Sequence, residues 1–478
     1  MSSTPVGRPS YAAVLRLPYA RRTFAAALLG RLSYGIVPLS VMLAVNRASG
    51  SYTAAGTVMA LFGATSVFLS PARAALIDRH GPRRTLVWMV TAYAALLGLL
   101  TLLVGRPGAV SPLVVAAVTA TAGACTPPLG PTMRAVWGRL APDRALLQRA
   151  YSLDGVAEEL LFVSGPLLVG ILVGFAPPTA GIVFGTALIV AGTAGFVMSP
   201  AVGATRLVEA GEGRRKPERE AGVRERLRRL LSDRADATGS LPRGLFPPQG
   251  VTSRGWLRGL VSGRSGAGRS ALRRGAGRGV LRGILQPVVA AGGVGVTLGA
   301  VDLVVVAFAE QRHYGDGTVA WTLAALSAGS AVGGLANGAV HWRVPAPVRL
   351  PLTVAGLGVA LLGAGFAPGL GTLAVALAAA GFFVSPTLTT AYLIADDAAA
   401  PEARVRAGAW VNTGVNAGGT AGAAVAGLLV GGMPTALCFA AAGATALLTA
   451  LATVRRGRER GTLRAMPDRG GEKLAPTA

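Results

Sequence analysis

About twelve apolar runs, most close to bilayer-spanning length, follow one another along the 478-residue chain, and one long arginine-rich segment divides them six and six. A helix of about twenty apolar residues rises roughly 30 Å, the thickness of the hydrocarbon core. In that solvent the backbone finds hydrogen-bond partners only within its own segment or in a closed barrel, and runs of this length read as helices. The expected fold class is all-α and integral to the membrane: twelve transmembrane helices as two six-helix bundles. Only 14% of residues are charged, against about a quarter in soluble domains, and the mean hydropathy is +0.53.

The spans of the first half read Thr23–Val45, Thr53–Ala72, Leu86–Val104, Val110–Met133, Ala150–Val173 and Thr179–Met198. Those of the second read Ile284–Ala309, Val319–Val340, Leu350–Phe366, Leu370–Ile394, Ala407–Val430 and Thr435–Val454. The chain thus divides into an N-terminal segment (1–22), a first bundle (23–200), a basic linker (201–283), a second bundle (284–454) and a basic tail (455–478). The linker carries 19 basic and 7 acidic side chains and many glycines, the composition of a solvated tether. Two of its stretches, around Arg224–Leu231 and Trp256–Val261, have the basic amphipathic character that favours anionic inner-leaflet lipids.

A net charge of +25 would suit nucleic acid on a soluble platform, and none is present. With the N-terminus inside, only Arg47, Arg106 and Arg312 fall in outer loops. That bias orients both termini toward the cytoplasm, and the Ala-, Gly- and Arg-heavy composition suits a bacterial cell membrane. Cys125 and Cys438 lie inside apolar runs in opposite halves and read as packing residues. The first run is too long for a cleavable signal core.

An internal repeat relates the halves. Ala150-Tyr151-Ser152-Leu153-Asp154-Gly155-Val156 opens span five and Ala409-Trp410-Val411-Asn412-Thr413-Gly414-Val415 opens span eleven. Pro142-Asp143 and Pro401-Glu402 precede them at the same constant shift of about 259 residues, as parallel six-helix repeats would.

Between spans two and three the chain reads Ala74-Ala75-Leu76-Ile77-Asp78-Arg79-His80-Gly81-Pro82-Arg83-Arg84. This resembles the signature loop of the major facilitator superfamily, Gly-x-x-x-Asp-Arg-x-Gly-Arg-Arg. Asp78, Arg79, Gly81, Arg83 and Arg84 fit; Ala74 and Pro82 depart from the pattern. The resemblance implies alternating access by two rocking bundles, with Asp78 holding the outward-facing state against the start of span eleven. Arg134, at the inner end of span four, is a second candidate partner. Gly165-Pro166, followed by Gly170, is similar to the antiporter motif of the superfamily's drug/proton exchangers. Span four as drawn carries no charge, where those exchangers keep an arginine.

Charges within spans cost at least ~3 kcal/mol in lipid and are the candidate machinery. Arg31 and Glu158 both lie about 13 Å in from the same face, so they can pair, with Asp154 and Glu159 close by. Glu158 or Glu159 is the candidate proton-binding carboxylate. Asp302 falls near the outer face, as a gate or at interfacial water. Asn412 and Asn416 share one face of span eleven, suited to interhelical hydrogen bonds. Pro128, Pro386 and Gly165-Pro166 are candidate kinks, and Tyr34, Asn337 and Tyr392 candidate cavity lining.

The three histidines are scattered in loops, and no catalytic constellation, nucleotide loop, metal cluster or cofactor signature is present. The leading expectation is a monomeric secondary transporter exporting a small organic solute in exchange for protons. Proton-coupled uptake or uniport of a sugar-like metabolite stays open, as do the permease subunit of an ATP-driven pump and a non-transporting sensor or scaffold.

Overall fold

The structure is a computed structural model that describes residues 10–105, 111–203, 267–314, 316–430 and 432–465. All regular structure among the described residues is helical. Two units separate: Met1–Val202 with Gly283–Ala478, and Gly203–Arg282. Within the second only Gly203 and 267–282, a helical stretch, are described, so both amphipathic stretches of the linker, together with Arg106 and the end of the tail, lie outside the described residues.

Among the described residues of the first unit, eleven helices are long and apolar enough to cross a membrane, and one bent pair brings the number to twelve. The first six spans are Ala20–Ser49, the pair Thr53–Phe68 and Ser70–His80, Pro82–Val104, Pro112–Leu140, Arg144–Val173 and Pro178–Met198. The last six are Gly283–Gln311, Val319–Ala339, Ala346–Ala364, Leu370–Ala398, Pro401–Val430 and Thr435–Val454. A short helix, Tyr11–Arg16, precedes them, its N-terminus capped by the Ser10 hydroxyl accepting from the Ala13 amide at 3.2 Å. The end of the bundles carrying this helix, Asp78 and Arg404 is called the basic end below.

Large apolar side chains such as Leu102, Leu113, Phe366 and Leu428 stay exposed, as they can where lipid is the solvent. Inside each bundle small residues set the helix spacing. A side chain on Gly192 of span six would run into the backbone of Gly30 on span one, and one on Gly422 of span eleven into that of Val296 on span seven. Such close backbone approach maximises dispersion contact where no hydrophobic force drives helices together.

Several boundaries differ from the sequence reading. Span two bends by 41° at Leu69 and continues as helix to His80, and span three starts at Pro82, so every residue of the signature segment except Gly81, at φ +85°, is helical. Span four runs on past Met133 to Leu140, which puts Arg134 inside it and corrects the reading of that span as uncharged. A charge ends an apolar run in sequence, yet a helix continues through it when the charge is neutralised. Span four is interrupted at Thr126–Pro128 and span ten at Phe382–Phe383, four residues ahead of Pro386, which has no N–H to offer the Phe382 carbonyl. Span five, by contrast, stays one 30-residue helix through Pro166. Gly165 is also where span five closely approaches Gly35 of span one.

Candidate functional site

At the basic end the two halves are tied by polar contacts that use helix termini. Asp78 Oδ2 accepts a hydrogen bond of 3.1 Å from the backbone N–H of Arg406, in the first turn of span eleven. A carboxylate there meets both an unpaired amide and the positive end of a helix dipole. Arg404 lies 3.3 Å from Asp396 and donates to the Gly138 carbonyl at 3.1 Å, while Arg144 pairs with Asp397 at 2.6 Å. Gln148 donates to the Asn337 carbonyl at 2.6 Å, and the Asn337 amide donates to Ser152 at 3.3 Å. The Tyr11 hydroxyl reaches across to the Leu335 carbonyl at 2.6 Å; burial pushes its phenol up, so it remains a donor. Farther in, Ser330 donates to Glu159 Oε1 at 2.8 Å.

Past that layer lies a buried ring of charge. Arg31 contacts Asp154 at 2.7 Å and Glu158 at 3.1 Å; Arg134 contacts Asp154 at 2.9 Å and Glu158 at 2.5 Å. Each guanidinium thus touches both carboxylates, and the four formal charges cancel. Helical spacing explains it: Asp154 and Glu158 are i, i+4 on span five and present one face to spans one and four. The Tyr392 ring lies 3.8 Å from the Arg134 guanidinium carbon, covering it from the second half.

Next to the ring is a cavity of about 300 Å³ between the halves, bounded by Arg31, Tyr34, Met59, Phe62, Arg73, Glu158, Phe162, Asn412 and Asn416. Its floor is the break in span four, where two residues repair freed backbone groups. The Tyr34 hydroxyl donates to the Pro127 carbonyl and accepts from the Leu129 amide at 3.2 Å. Arg73 donates to the Gly123 and Ala124 carbonyls, 2.5 and 3.1 Å away, capping the negative end of the first helical piece.

Three sequence-level assignments are corrected. Arg134 does not meet Asp78; its charge is taken up inside the ring. Asn337 is buried in the basic-end latch and lines no central cavity, because Ser152 and Gln148 of span five cover it. The Asn416 amide donates to the Asn412 carbonyl of its own helix at 2.8 Å instead of crossing to another, since both residues face open space. Asp302 is exposed and makes no ion pair among the described residues; Arg79 and Arg84 are exposed as well, while Arg83 donates to the Ser199 carbonyl at 3.2 Å. Sequence reasoning missed Arg73, Arg404, Asp396 and Asp397. The tandem aspartates at the end of an otherwise apolar span were the available signal.

The family model for the Major Facilitator Superfamily matches residues 23–235 and 288–475. Among solved structures the chain is similar to the human organic anion transporter MFSD10 (TETRAN), with 15% identity, TM-score 0.60, and 93% of this chain and 100% of that one covered. It is also similar to a bacterial homologue of the iron transporter ferroportin in the outward-facing state, with 13% identity, TM-score 0.62, and 92% and 99% covered. No curated protein matches the sequence.

Proposed function

Because the chain belongs to the Major Facilitator Superfamily, and is therefore a multi-pass membrane transporter and not an enzyme, we propose that it exports a small organic solute in exchange for protons by alternating access. In this reading the basic end and both termini face the cytoplasm of a bacterial cell, following the positive-inside bias. The protein works as a monomer. The latch of Asp78, Arg404 and Arg144 closes the cytoplasmic side, and the 300 Å³ cavity is the outward-facing solute site. Aromatic and apolar walls from Tyr34, Met59, Phe62 and Phe162 suit an amphipathic solute, with Arg73, which makes no ion pair among the described residues, available to an acidic group on it.

The observation that carries proton coupling is the state of Glu159. Glu158 is neutralised by two arginines, whereas Glu159 makes no ion pair among the described residues and is held by a serine hydroxyl of the opposite half. A carboxylate bound to a hydroxyl across the moving interface changes partners as the halves rock, which is what a proton carrier needs. Of the two candidate carboxylates, Glu158 and Glu159, this reading selects Glu159.

Transport into everted vesicles tests the reading. An acid-inside gradient should drive solute into the lumen, and Glu159→Gln should abolish gradient-driven accumulation while preserving solute binding and counterflow. Coupling that survives Glu159→Gln refutes the role of this carboxylate, and solute driven outward by the same gradient refutes export.

A further inference from the structure

A second cavity, of about 670 Å³, opens at the basic end, away from the central one. Arg144 and Arg149 of span five line it from one half; His341, Arg343 and Arg349, from the connection into span nine and that span's first turns, line it from the other, with Asp397. Asp397 is the one carboxylate on this lining and is already paired with Arg144. Arg149, Arg343 and Arg349 therefore face the cavity with no carboxylate partner among the described residues.

Two of these arginines are buried, Arg149 at 5% and Arg349 at 4% exposure. Their hydrogen bonds go to neutral oxygens only: Arg149 to the Ala145 and Ala339 carbonyls at 3.1 and 3.5 Å, Arg349 to Gln148 Oε1 at 3.3 Å. Arg349 Nε is buried without any partner. Buried guanidinium groups are ordinarily paired, because taking the ion from water is costly unless an opposite charge meets it. Contrast the ring of Arg31 and Arg134, where every charge is matched. The 19-residue helix Ala346–Ala364 also begins on this cavity, with Pro345 as its N-cap and no side-chain cap, so its positive end adds to the field. Forked donors, a helix N-terminus and surplus positive charge together match the three oxygens of a phosphate group.

We propose that this cavity binds a phosphate-bearing anion, with Arg149, Arg343 and Arg349 as its charged ligands, whichever solute the central cavity carries. The same chemistry arrives either as a free phosphate in solution or as an anionic phospholipid headgroup; exposed Trp342, Val344 and Val348 beside the cavity leave room for the second.

The full chain in detergent, titrated with inorganic phosphate at constant ionic strength set by chloride, and in parallel reconstituted into nanodiscs of phosphatidylglycerol or phosphatidylcholine, distinguishes the sources. A melting temperature that rises with phosphate identifies the free anion; one that rises only with phosphatidylglycerol identifies the headgroup. Either shift should weaken at least tenfold in apparent affinity in Arg349→Gln. Arg343→Gln, an exposed position where folding is not at stake, should weaken it as well, while the exposed Arg22→Gln keeps it. No shift in either arm overturns the proposal, and so does a shift that both Arg343→Gln and Arg349→Gln retain or that Arg22→Gln loses equally.

Discussion

Replacing Asp154 by Asn isolates what the buried ring contributes. Asp154 is 0% exposed and its two oxygens meet Arg31 and Arg134, both nearly inaccessible, so the change leaves one uncompensated positive charge in the interior. Breaking a buried pair by removing one partner costs about 3–5 kcal/mol, and nothing in the ring can relax to meet the surplus. Glu158 also contacts both arginines, but its side chain is 30% exposed toward the cavity. Water can replace part of its role, so Glu158→Gln should cost about half as much or less. Reversible unfolding in mixed detergent micelles reads both losses. Adding Arg31→Gln to Asp154→Asn restores neutrality, and the double variant should lose less than the sum of the singles by at least ~1.5 kcal/mol. Additive losses, or an Asp154→Asn cost below ~1 kcal/mol, would refute the idea that charge balance holds spans one, four and five together.

The latch gives a graded series. Arg404 is three-quarters buried with Asp396 and the Gly138 carbonyl, whereas Arg144 and Asp397 are about half exposed, a setting worth under ~1 kcal/mol. Arg404→Ala should therefore open the basic end to thiol labelling far more than Arg144→Ala. Asp78→Asn keeps an oxygen to accept from Arg406 but loses the charge assistance, about 1 kcal/mol, and should slow the transport cycle with little change in expression; equal losses of both would point to a purely topological role. Gly192→Val inserts a side chain into the span one–span six contact and should destabilise by at least ~1–3 kcal/mol in the same micelle assay.

The number of spans, their order and the six-plus-six division were legible because the membrane imposes length and apolarity on every segment. Depth was legible too. Counting residues from the same face put Arg31 and Glu158 at one level, and they lie 3.1 Å apart. Rotation about each helix axis was not. The i, i+4 spacing puts Asp154 on the face of Glu158, but nothing in the sequence says that this face meets spans one and four together, or that Asn337 turns toward Ser152 and away from the central cavity. Arg134 was misplaced for a related reason: an apolar window stops at the first charge, whereas the helix continues to Leu140 because Asp154 and Glu158 neutralise that charge. Arg73 escaped notice because its partners are backbone carbonyls exposed by a break in another span.

The repeat explains why the latch has the form it does. Shifting span four by about 259 residues sets Gly138 on Asp397, and shifting span five sets Arg144 within one residue of Arg404. The start of span five therefore grips the end of span ten through Arg144 and Asp397, and the start of span eleven grips the end of span four through Arg404 and the Gly138 carbonyl. The two contacts occupy equivalent places in the halves, as parallel repeats would put them. The copies have diverged in strength: Asp396 and burial reinforce the Arg404 side, while the Arg144 side stays wet. Asp78 adds a third tie on the stronger side through the Arg406 amide. An arrangement of a few charge-assisted contacts, from under ~1 kcal/mol for the exposed Arg144–Asp397 pair to about 1–3 kcal/mol for the more buried ones, all made at helix ends, holds two rigid bundles closed without welding them. Rocking then requires those contacts to be exchanged for water at the basic end, while the neutral ring of Arg31, Arg134, Asp154 and Glu158 travels intact inside one bundle.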